Sequence, residues 1–364
     1  MTVLSGLIRV FLTMNPRAIG ITIPSIIITF SLALLAGVAS AQYVAGDQAR
    51  GRQVYDKYCG LCHGANGEGY VADDANALSN QDFLASVSDE FIWWGIARGR
   101  PGTAMAAHAE RYGGPLEDAD IDDLLALIRG WQTEPSRPPS DKPVIGDPVA
   151  GRITYALHCT ECHGREGEGV SAVSLNNAEF LSLATDAQIR TAIAGGRRGT
   201  PMAAFGETLK ADSIDNLVAL IRSWERDVIE REAPDFTEFP EVVINPDGPA
   251  PRFTLRDGRY VSAAQLDTAM REGARLIILD SRPPSEWLIA HIPGAVPAPF
   301  YDPESIIIQL PEDDTWIVSY CACPHLYSDK LTDALRNAGF KNTVVLDEGV
   351  RWWQHQGYPV KYGR

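Results

Sequence analysis

Cys59-Gly-Leu-Cys62-His63 and, 100 positions later, Cys159-Thr-Glu-Cys162-His163 are two copies of one five-residue pattern. In each copy the two cysteines are three positions apart and a histidine follows directly. This spacing is typical of c-type haem attachment, in which each cysteine forms a thioether bond with one vinyl group and the histidine binds the iron. The sequence therefore predicts two covalently attached haem c groups, bound through Cys59, Cys62, Cys159 and Cys162 and ligated by His63 and His163.

The two motifs lie within a longer internal repeat. Phe83 and Phe180 each precede a methionine by 22 positions, and these methionines, Met105 and Met202, follow turns rich in Gly and Arg. Each repeat ends in a helical pattern with aliphatic residues on one face, closed by a tryptophan. A repeat of this length indicates two copies of one structural unit.

Each repeat resembles a class I cytochrome c domain over nearly its whole length. The resemblance implies a small all-helical fold around one haem, with Met105 and Met202 as the distal ligands. The chemistry of the residues agrees, because a thioether is a neutral, soft ligand that favours reduced iron. An iron with both axial positions filled has no open position for substrate, so these sites are expected to pass electrons.

Two alternatives stand beside the methionine ligands. A methionine often only fills a core, although here two of the five methionines occupy equivalent positions of the repeat. In the first repeat, His108 competes with Met105 as the distal ligand. Its counterpart in the second repeat is Phe205, so a ligation scheme shared by both repeats favours methionine.

The N-terminus has the features of a targeting segment. Arg9 and Arg17 precede an apolar run, residues 19–38, that ends in Ala39-Ser40-Ala41, a cleavage-site pattern. The run is close to the length that spans a bilayer, so 1–41 is interpreted as a signal peptide or an N-terminal membrane anchor. Either form predicts a periplasmic protein, since positive charge before the segment keeps the N-terminus inside.

Length, composition and charge limit the remaining choices. The chain has 364 residues, 45% of them hydrophobic, and a formal net charge of −15. The length predicts several domains, and the negative charge argues against nucleic acid as a partner and favours a basic redox protein. Proline-rich stretches divide the chain into domains and linkers: 46–134, first helical domain; 135–147, linker; 148–227, second helical domain; 228–250, linker; 251–364, C-terminal domain.

The C-terminal domain has a different pattern. Apolar runs of strand length, Leu276–Leu279 and Trp316–Tyr320, alternate with helical stretches such as Ser328–Asn337. This alternation predicts βαβ units and a mostly parallel, doubly wound sheet. Cys321 and Cys323, the two cysteines that the haem motifs do not use, follow the second of these strands.

This part of the chain resembles the rhodanese family over about 251–364. The resemblance lies in Leu279-Asp280-Ser281-Arg282, in His291-Ile292-Pro293-Gly294-Ala295 and in the strand before Cys321. It implies that Cys321 is the family nucleophile, which carries sulfane sulfur as a persulfide. The loop departs from the family pattern, because Pro324 removes an amide donor and no arginine lies in the loop. This difference puts thiosulfate-to-cyanide transfer in doubt.

The second thiol suggests a further hypothesis. Cys323 would attack a persulfide on Cys321, giving a disulfide and releasing sulfide, and His325 would supply a proton or positive charge. In this interpretation Ser328 caps the helix after an exposed loop, whose amides favour a thiolate. The alternative is that the pair forms an inert disulfide. Asp280, Arg282 and His291 are interpreted as mainly architectural.

Together these features predict a periplasmic dihaem c-type cytochrome fused to a rhodanese-like domain. Electrons from a small reduced sulfur compound would pass through the haems to another cytochrome or a terminal oxidase. The main alternative is a pure electron carrier whose rhodanese-like domain is a non-catalytic docking module. A dihaem peroxidase would require one open iron.

Overall fold

In a computed structural model, residues 46–72, 75–137, 140, 142–229, 241–322 and 325–363 of the chain are described. The predicted signal peptide or anchor, 1–41, lies outside these residues, as do Cys323 and Pro324. Within the described part of the chain, none of the helices has both the length and the apolar character needed to cross a bilayer.

The two repeats fold into two helical domains with the same order of helices. The first domain contains α1 Gln48–Tyr58, α2 Gly60–His63, α3 Gln81–Ser86, α4 Asp89–Arg98, a 3₁₀ turn Glu110–Tyr112 and α5 Asp118–Gly130. The second contains α6 Pro148–His158, α7 Thr160–His163, α8 Ala178–Leu183, α9 Asp186–Gly195 and α10 Ala211–Arg222.

In each helical domain the first and last helices cross in close contact. A Cβ on Gly51 would lie 2.1 Å from the Asp123 carbonyl oxygen, and a Cβ on Gly151 would lie 2.1 Å from the carbonyl oxygen of Asn216. A glycine is therefore required at both crossings. This requirement explains why the same glycine stands near the start of both repeats.

The two helical domains pack against each other through reciprocal contacts. The amide of Asn80, which caps α3, donates to the Arg198 carbonyl oxygen at 2.8 Å. The amide of Asn177, which caps α8, donates to the carbonyl oxygen of Pro101 at 2.9 Å. Because these four residues occupy equivalent positions in the two repeats, the domains are related by an approximate two-fold axis.

The segment between the helical domains is partly attached to them. The Arg137 amide donates to Ala85 O at 2.7 Å, and the Val144 amide donates to an Asp186 carboxylate oxygen at 2.6 Å. The proline-rich linker predicted for 135–147 is therefore hydrogen-bonded to α3 near one end and to the start of α9 near the other.

The C-terminal domain is an α/β domain with a five-stranded, all-parallel sheet in the order β1-β5-β4-β2-β3. This agrees with the predicted doubly wound, mostly parallel sheet. Its elements are β1 Tyr260–Val261, α11 Ala263–Arg271, β2 Leu276–Asp280, α12 Pro284–Ile289, β3 Val296–Pro297, α13 Pro303–Ile307, β4 Trp316–Tyr320, α14 Leu326–Asn337, β5 Thr343–Leu346 and α15 Gly349–His355.

The linker predicted for 228–250 does not extend to residue 250. Ile244 pairs with Leu276 of β2, with N–O distances of 2.8 and 3.2 Å, and the Arg275 amide donates to the Pro249 carbonyl oxygen. Ile244 also packs against the apolar core of the α/β domain. Its aliphatic side chain stabilises that domain by burial, so the end of the predicted linker belongs to the α/β domain.

Candidate haem sites and the Cys321 loop

The two motif histidines are held in the same way. His63 ends α2 and its Nδ1 lies 2.8 Å from the carbonyl oxygen of Asn76, while His163 ends α7 and its Nδ1 lies 2.9 Å from Val173 O. A carbonyl oxygen only accepts, so Nδ1 carries the proton and Nε2 keeps its lone pair. Burial lowers the pKa of both imidazoles, which favours this neutral form.

The motif cysteines lie beside these histidines and are partly buried. Burial, together with the nearby Cys62, raises the pKa of the Cys59 thiol to about 12, and burial and Cys162 raise that of Cys159 to about 11. A sulfur in such a position is disfavoured as a thiolate. Neutral thioethers suit these positions, so the cysteines fit covalent attachment of haem.

Met105 and Met202 lie in turns of the same construction. The Met105 amide donates to the Thr103 hydroxyl at 3.1 Å, and its carbonyl accepts from Arg100 N at 2.7 Å. The corresponding distances in the second turn are 3.2 Å for Met202 N to the Thr200 hydroxyl and 3.0 Å for Arg197 N to Met202 O. Each methionine is therefore fixed by its backbone in a loop after the fourth helix of its domain.

His108 is the side chain that distinguishes the first site. It is buried, and its Nδ1 lies 2.8 Å from Ala106 O. Burial lowers its pKa to about 4, and the charge of His63 adds to this lowering. Because a carbonyl oxygen only accepts, Nε2 of His108 keeps its lone pair, so His108 remains a competing ligand.

Cys321 begins the loop after β4, as predicted, but its environment differs from the prediction. The thiol belongs to a fully buried residue, whereas an exposed loop thiol was expected. Helix α14 begins at Leu326, so Ser328 lies in its first turn and is not its N-cap. The Ser328 hydroxyl instead donates to Cys321 Sγ at 3.4 Å.

His325 directly precedes α14 and contacts Asp347, which follows the neighbouring parallel strand β5. Its Nε2 lies 2.8 Å from Asp347 Oδ1, and its ring stacks on Tyr260 with 4.1 Å between centroids. These contacts fix the imidazole beside an acid. Cys323, the predicted second thiol, lies outside the described residues, so the disulfide hypothesis stays a prediction.

The residues interpreted as architectural form a buried network. Arg282 pairs with Asp280 at 2.6 Å and also donates to the Ala290 carbonyl oxygen at 2.7 Å. The Tyr320 hydroxyl donates to Asp280 at 2.8 Å, and the His291 ring stacks on Trp287 at 4.1 Å. These contacts connect β2, α12 and β4, as an architectural role requires.

Three family models match separate parts of the chain. The cytochrome c model matches residues 48–132, and the model for subunit III of cbb3-type cytochrome c oxidase matches 146–221. The rhodanese-like domain model matches 262–356. The chain is a c-type cytochrome joined to a rhodanese-like domain. It combines helical cytochrome domains, which imply covalently bound haem c, with a C-terminal α/β domain.

Relatives of known description are each similar to part of the chain. Arsenate reductase 2.1 of Oryza sativa is 32% identical over 119 residues, which cover 29% of this chain and 72% of that protein. The cytochrome c subunit of the Mycobacterium bovis cytochrome bc1 complex is 28% identical, covering 42% of this chain and 54% of that subunit. The cbb3-type oxidase subunit FixP of a Bradyrhizobium species is also 28% identical, covering 50% and 62%.

The chain thus spans between half and two thirds of the length of these two cytochrome subunits. The three family models, by contrast, match separate segments that together extend over most of the chain. The chain is accordingly an electron-carrying cytochrome with a rhodanese-like domain.

The structure also brings together residues that no motif in the sequence indicates. The Tyr327 hydroxyl lies 3.9 Å from Cys62 Sγ, and the Ser285 hydroxyl donates to Ala107 O at 3.2 Å. Both are contacts between the rhodanese-like domain and the first cytochrome domain. They join residues more than 170 positions apart, and no local pattern in the sequence indicates them.

Proposed function

We propose that the chain carries electrons on two haem c groups, one in each cytochrome domain. Haem c, when bound, takes up and releases single electrons. This proposal rests on the equivalent hydrogen bonds that orient the two motif histidines. In both domains they leave the Nε2 lone pair free to bind iron. The residues proposed to hold the groups are Cys59, Cys62, His63 and Met105 in the first domain and Cys159, Cys162, His163 and Met202 in the second.

We further propose that Cys321 accepts sulfur and that this reaction supplies the electrons. The Cys321 thiolate and hydrosulfide form one S–S bond, which gives a persulfide, one proton and two electrons. Two one-electron sites in one chain match this two-electron oxidation. The Ser328 hydroxyl supports the thiolate, since it donates to Sγ from the first turn of α14.

The proposed redox partner is another cytochrome or a terminal oxidase. The relatives from a bc1 complex and from a cbb3-type oxidase support this class of partner. The proposed location is the periplasm, with the N-terminal segment as signal peptide or anchor. The cleavage-site pattern supports it.

Haem reduction by sulfide in a stopped-flow instrument tests the coupling. The purified, haem-loaded chain is mixed with sulfide, polysulfide or thiosulfate, and the absorbance of reduced haem is followed. We expect rapid reduction in the wild type and slow reduction in Cys321→Ser, with ascorbate reducing both proteins equally. Equal rates with sulfide would refute the coupling, and the haem content of the same sample tests the proposed count of two.

The burial of Cys321 favours a second candidate function. In this alternative the rhodanese-like domain is a non-catalytic docking module on an electron carrier, since a buried thiol is protected from reagents. Alkylation of the native chain separates the two functions. Rapid modification of Cys321, identified by peptide mass, supports sulfur chemistry, whereas modification only after unfolding supports docking.

A further inference from the structure

The rhodanese-like domain contacts the first cytochrome domain beside its attachment cysteines. Tyr327, in the first turn of α14, places its hydroxyl 3.9 Å from Cys62 Sγ. The ring of Tyr301 meets the ring of Tyr58 edge-on, with 5.2 Å between centroids. Tyr58 directly precedes Cys59, so both contacts lie at the edge of the motif that is proposed to hold the first haem.

The same domain also covers the loop on the distal side of that site. The Ser285 hydroxyl donates to the Ala107 carbonyl oxygen, and Ala106 and Ala107 are only 4% and 3% exposed. Their counterparts after Met202, residues 203 and 204, are exposed. Within the described part of the chain, the rhodanese-like domain therefore contacts the distal loop of the first site, whereas the corresponding loop of the second site is exposed.

Tyr327 is also connected to the Cys321 thiol. The next residue in the chain is Ser328, whose hydroxyl donates to Cys321 Sγ at 3.4 Å. The Tyr327 ring stacks on Phe300, with 4.1 Å between centroids and an interplanar angle of 7°. One hydrogen bond, one peptide linkage and one contact thus lead from Cys321 Sγ to Cys62 Sγ.

We propose that Tyr327 is the electron-transfer link between Cys321 and the first haem site. Electrons tunnel more readily along bonds and van der Waals contacts than across gaps. The path from Cys321 through Ser328 and Tyr327 to Cys62 consists only of such bonds and contacts. The inference rests on the proposed sulfur chemistry at Cys321. Each of the two electrons released in forming the persulfide passes by Tyr327 to the first site, and the second site passes electrons on to the partner protein.

Among the described residues, the second repeat has no equivalent connection to the rhodanese-like domain. The counterpart of Tyr58 is His158, which contacts Phe205 of its own domain, with 5.9 Å between centroids. In this proposal, electrons enter at the first cytochrome domain because the rhodanese-like domain contacts that domain. The first domain receives electrons, and the second is left accessible to the partner.

Tyr327→Leu and Tyr327→Phe test this role, with Tyr301→Phe as the matched control. Leucine removes the ring from the connection, phenylalanine removes only the hydroxyl that faces Cys62, and Tyr301→Phe keeps the ring that meets Tyr58. We expect sulfide to reduce haem in a fast phase in the wild type and in Tyr301→Phe. Tyr327→Leu should lose the fast phase and Tyr327→Phe should be intermediate. A fast phase in Tyr327→Leu as rapid as in the wild type would overturn the proposal.

Two further measurements separate this role from docking and from the sulfur chemistry. Hydrogen exchange of amides 105–109 reports on docking, with amides 202–206 as the open internal reference. We expect exchange of 105–109 in Tyr327→Phe to equal that of the wild type. A rise there that accounts for the slower reduction would assign Tyr327 to docking alone.

Sulfur loading of Cys321 from polysulfide needs no electron acceptor and is read by mass spectrometry. We expect normal loading in both Tyr327 variants, and defective loading would overturn the role in electron transfer. If Cys321→Ser reduces haem as fast as the wild type, the proposed sulfur chemistry itself fails, whatever the Tyr327 variants show.

Discussion

In each cytochrome domain, one tyrosine side chain binds the end of the short motif helix. The Tyr55 hydroxyl donates to Gly64 O at 2.7 Å, and the Tyr155 hydroxyl donates to Gly164 O at 2.9 Å, both in buried surroundings. Each glycine directly follows the motif histidine. A buried carbonyl without this partner would cost about 1–3 kcal/mol, so the tyrosine fixes the end of the short motif helix.

Substitution at the first site distinguishes its two candidate distal ligands. Met105→Leu removes the thioether, so we expect the midpoint potential of one haem to fall and its low-spin spectrum to change, because methionine ligation raises the potential. His108→Phe copies the second repeat, where Phe205 occupies this position, and should leave both properties unchanged. Spectroelectrochemical titration of each variant measures them. The opposite pattern would assign His108 as the ligand.

The sequence was sufficient for the features that repeat or that lie close together in the chain. The paired motifs, the Met105 and Met202 turns and strand Trp316–Tyr320 depend on local patterns, and the structure contains the same strand and equivalent turns. The burial of Cys321 could not be predicted, since it depends on how α14 and α15 pack over the loop. The Val350 amide, for example, donates to Cys321 O at 2.9 Å from the start of α15.

At the level of elements, the crossing of α6 and α10 has no room for a side chain at Gly151. Gly151→Ala would place Cβ 2.1 Å from Asn216 O, a backbone atom that moves only with its helix. We expect a loss of about 1–3 kcal/mol in the free energy of unfolding, as for other overpacked sites.

Gly195→Ala is the matched control for this crossing. It lies at the end of α9 in the same domain, and a Cβ there would have no atom within 4 Å. The control should be neutral or stabilising by about 0.4–1 kcal/mol. Urea unfolding followed by circular dichroism compares the two variants. An equal effect of both would contradict the close-crossing argument.

The start of the rhodanese-like domain shows why a domain boundary is difficult to predict from sequence. The predicted linker reached residue 250 because its composition is rich in proline and acids. Ile244 nevertheless pairs with β2, an interaction that depends on a strand more than 30 positions further along. Composition shows which segments have few apolar residues to bury, whereas long-range pairing decides where a domain begins.

At the level of the whole molecule, one ion pair makes the contact between the cytochrome domains depend on pH. Arg198 forms a salt bridge with Asp82 at 2.8 Å, and its hydrogen bond lowers the pKa of that carboxyl group below its usual value. The folded state therefore favours the charged carboxylate. Its contribution is present at neutral pH and is lost as the pH falls below the usual Asp pKa.

Asp82→Asn should remove this contribution. Arg198 is largely exposed, so we expect a loss of no more than about 1 kcal/mol in the free energy of unfolding at neutral pH, which diminishes as the pH falls through the lowered pKa of Asp82. Arg198→Gln should lower the stability over the same pH range. Urea unfolding of the three proteins across this pH range measures the difference. A deficit in Asp82→Asn that stays constant down to acid pH would contradict the assignment.

The reciprocal contacts of Asn80 and Asn177 have a consequence for assembly. An interface with a two-fold axis is self-complementary, since each half presents both the donor amide and the acceptor carbonyl. A single cytochrome domain with this surface could form a homodimer by the same contacts. The chain is in effect a covalent dimer, in which the segment between the repeats makes the association independent of protein concentration.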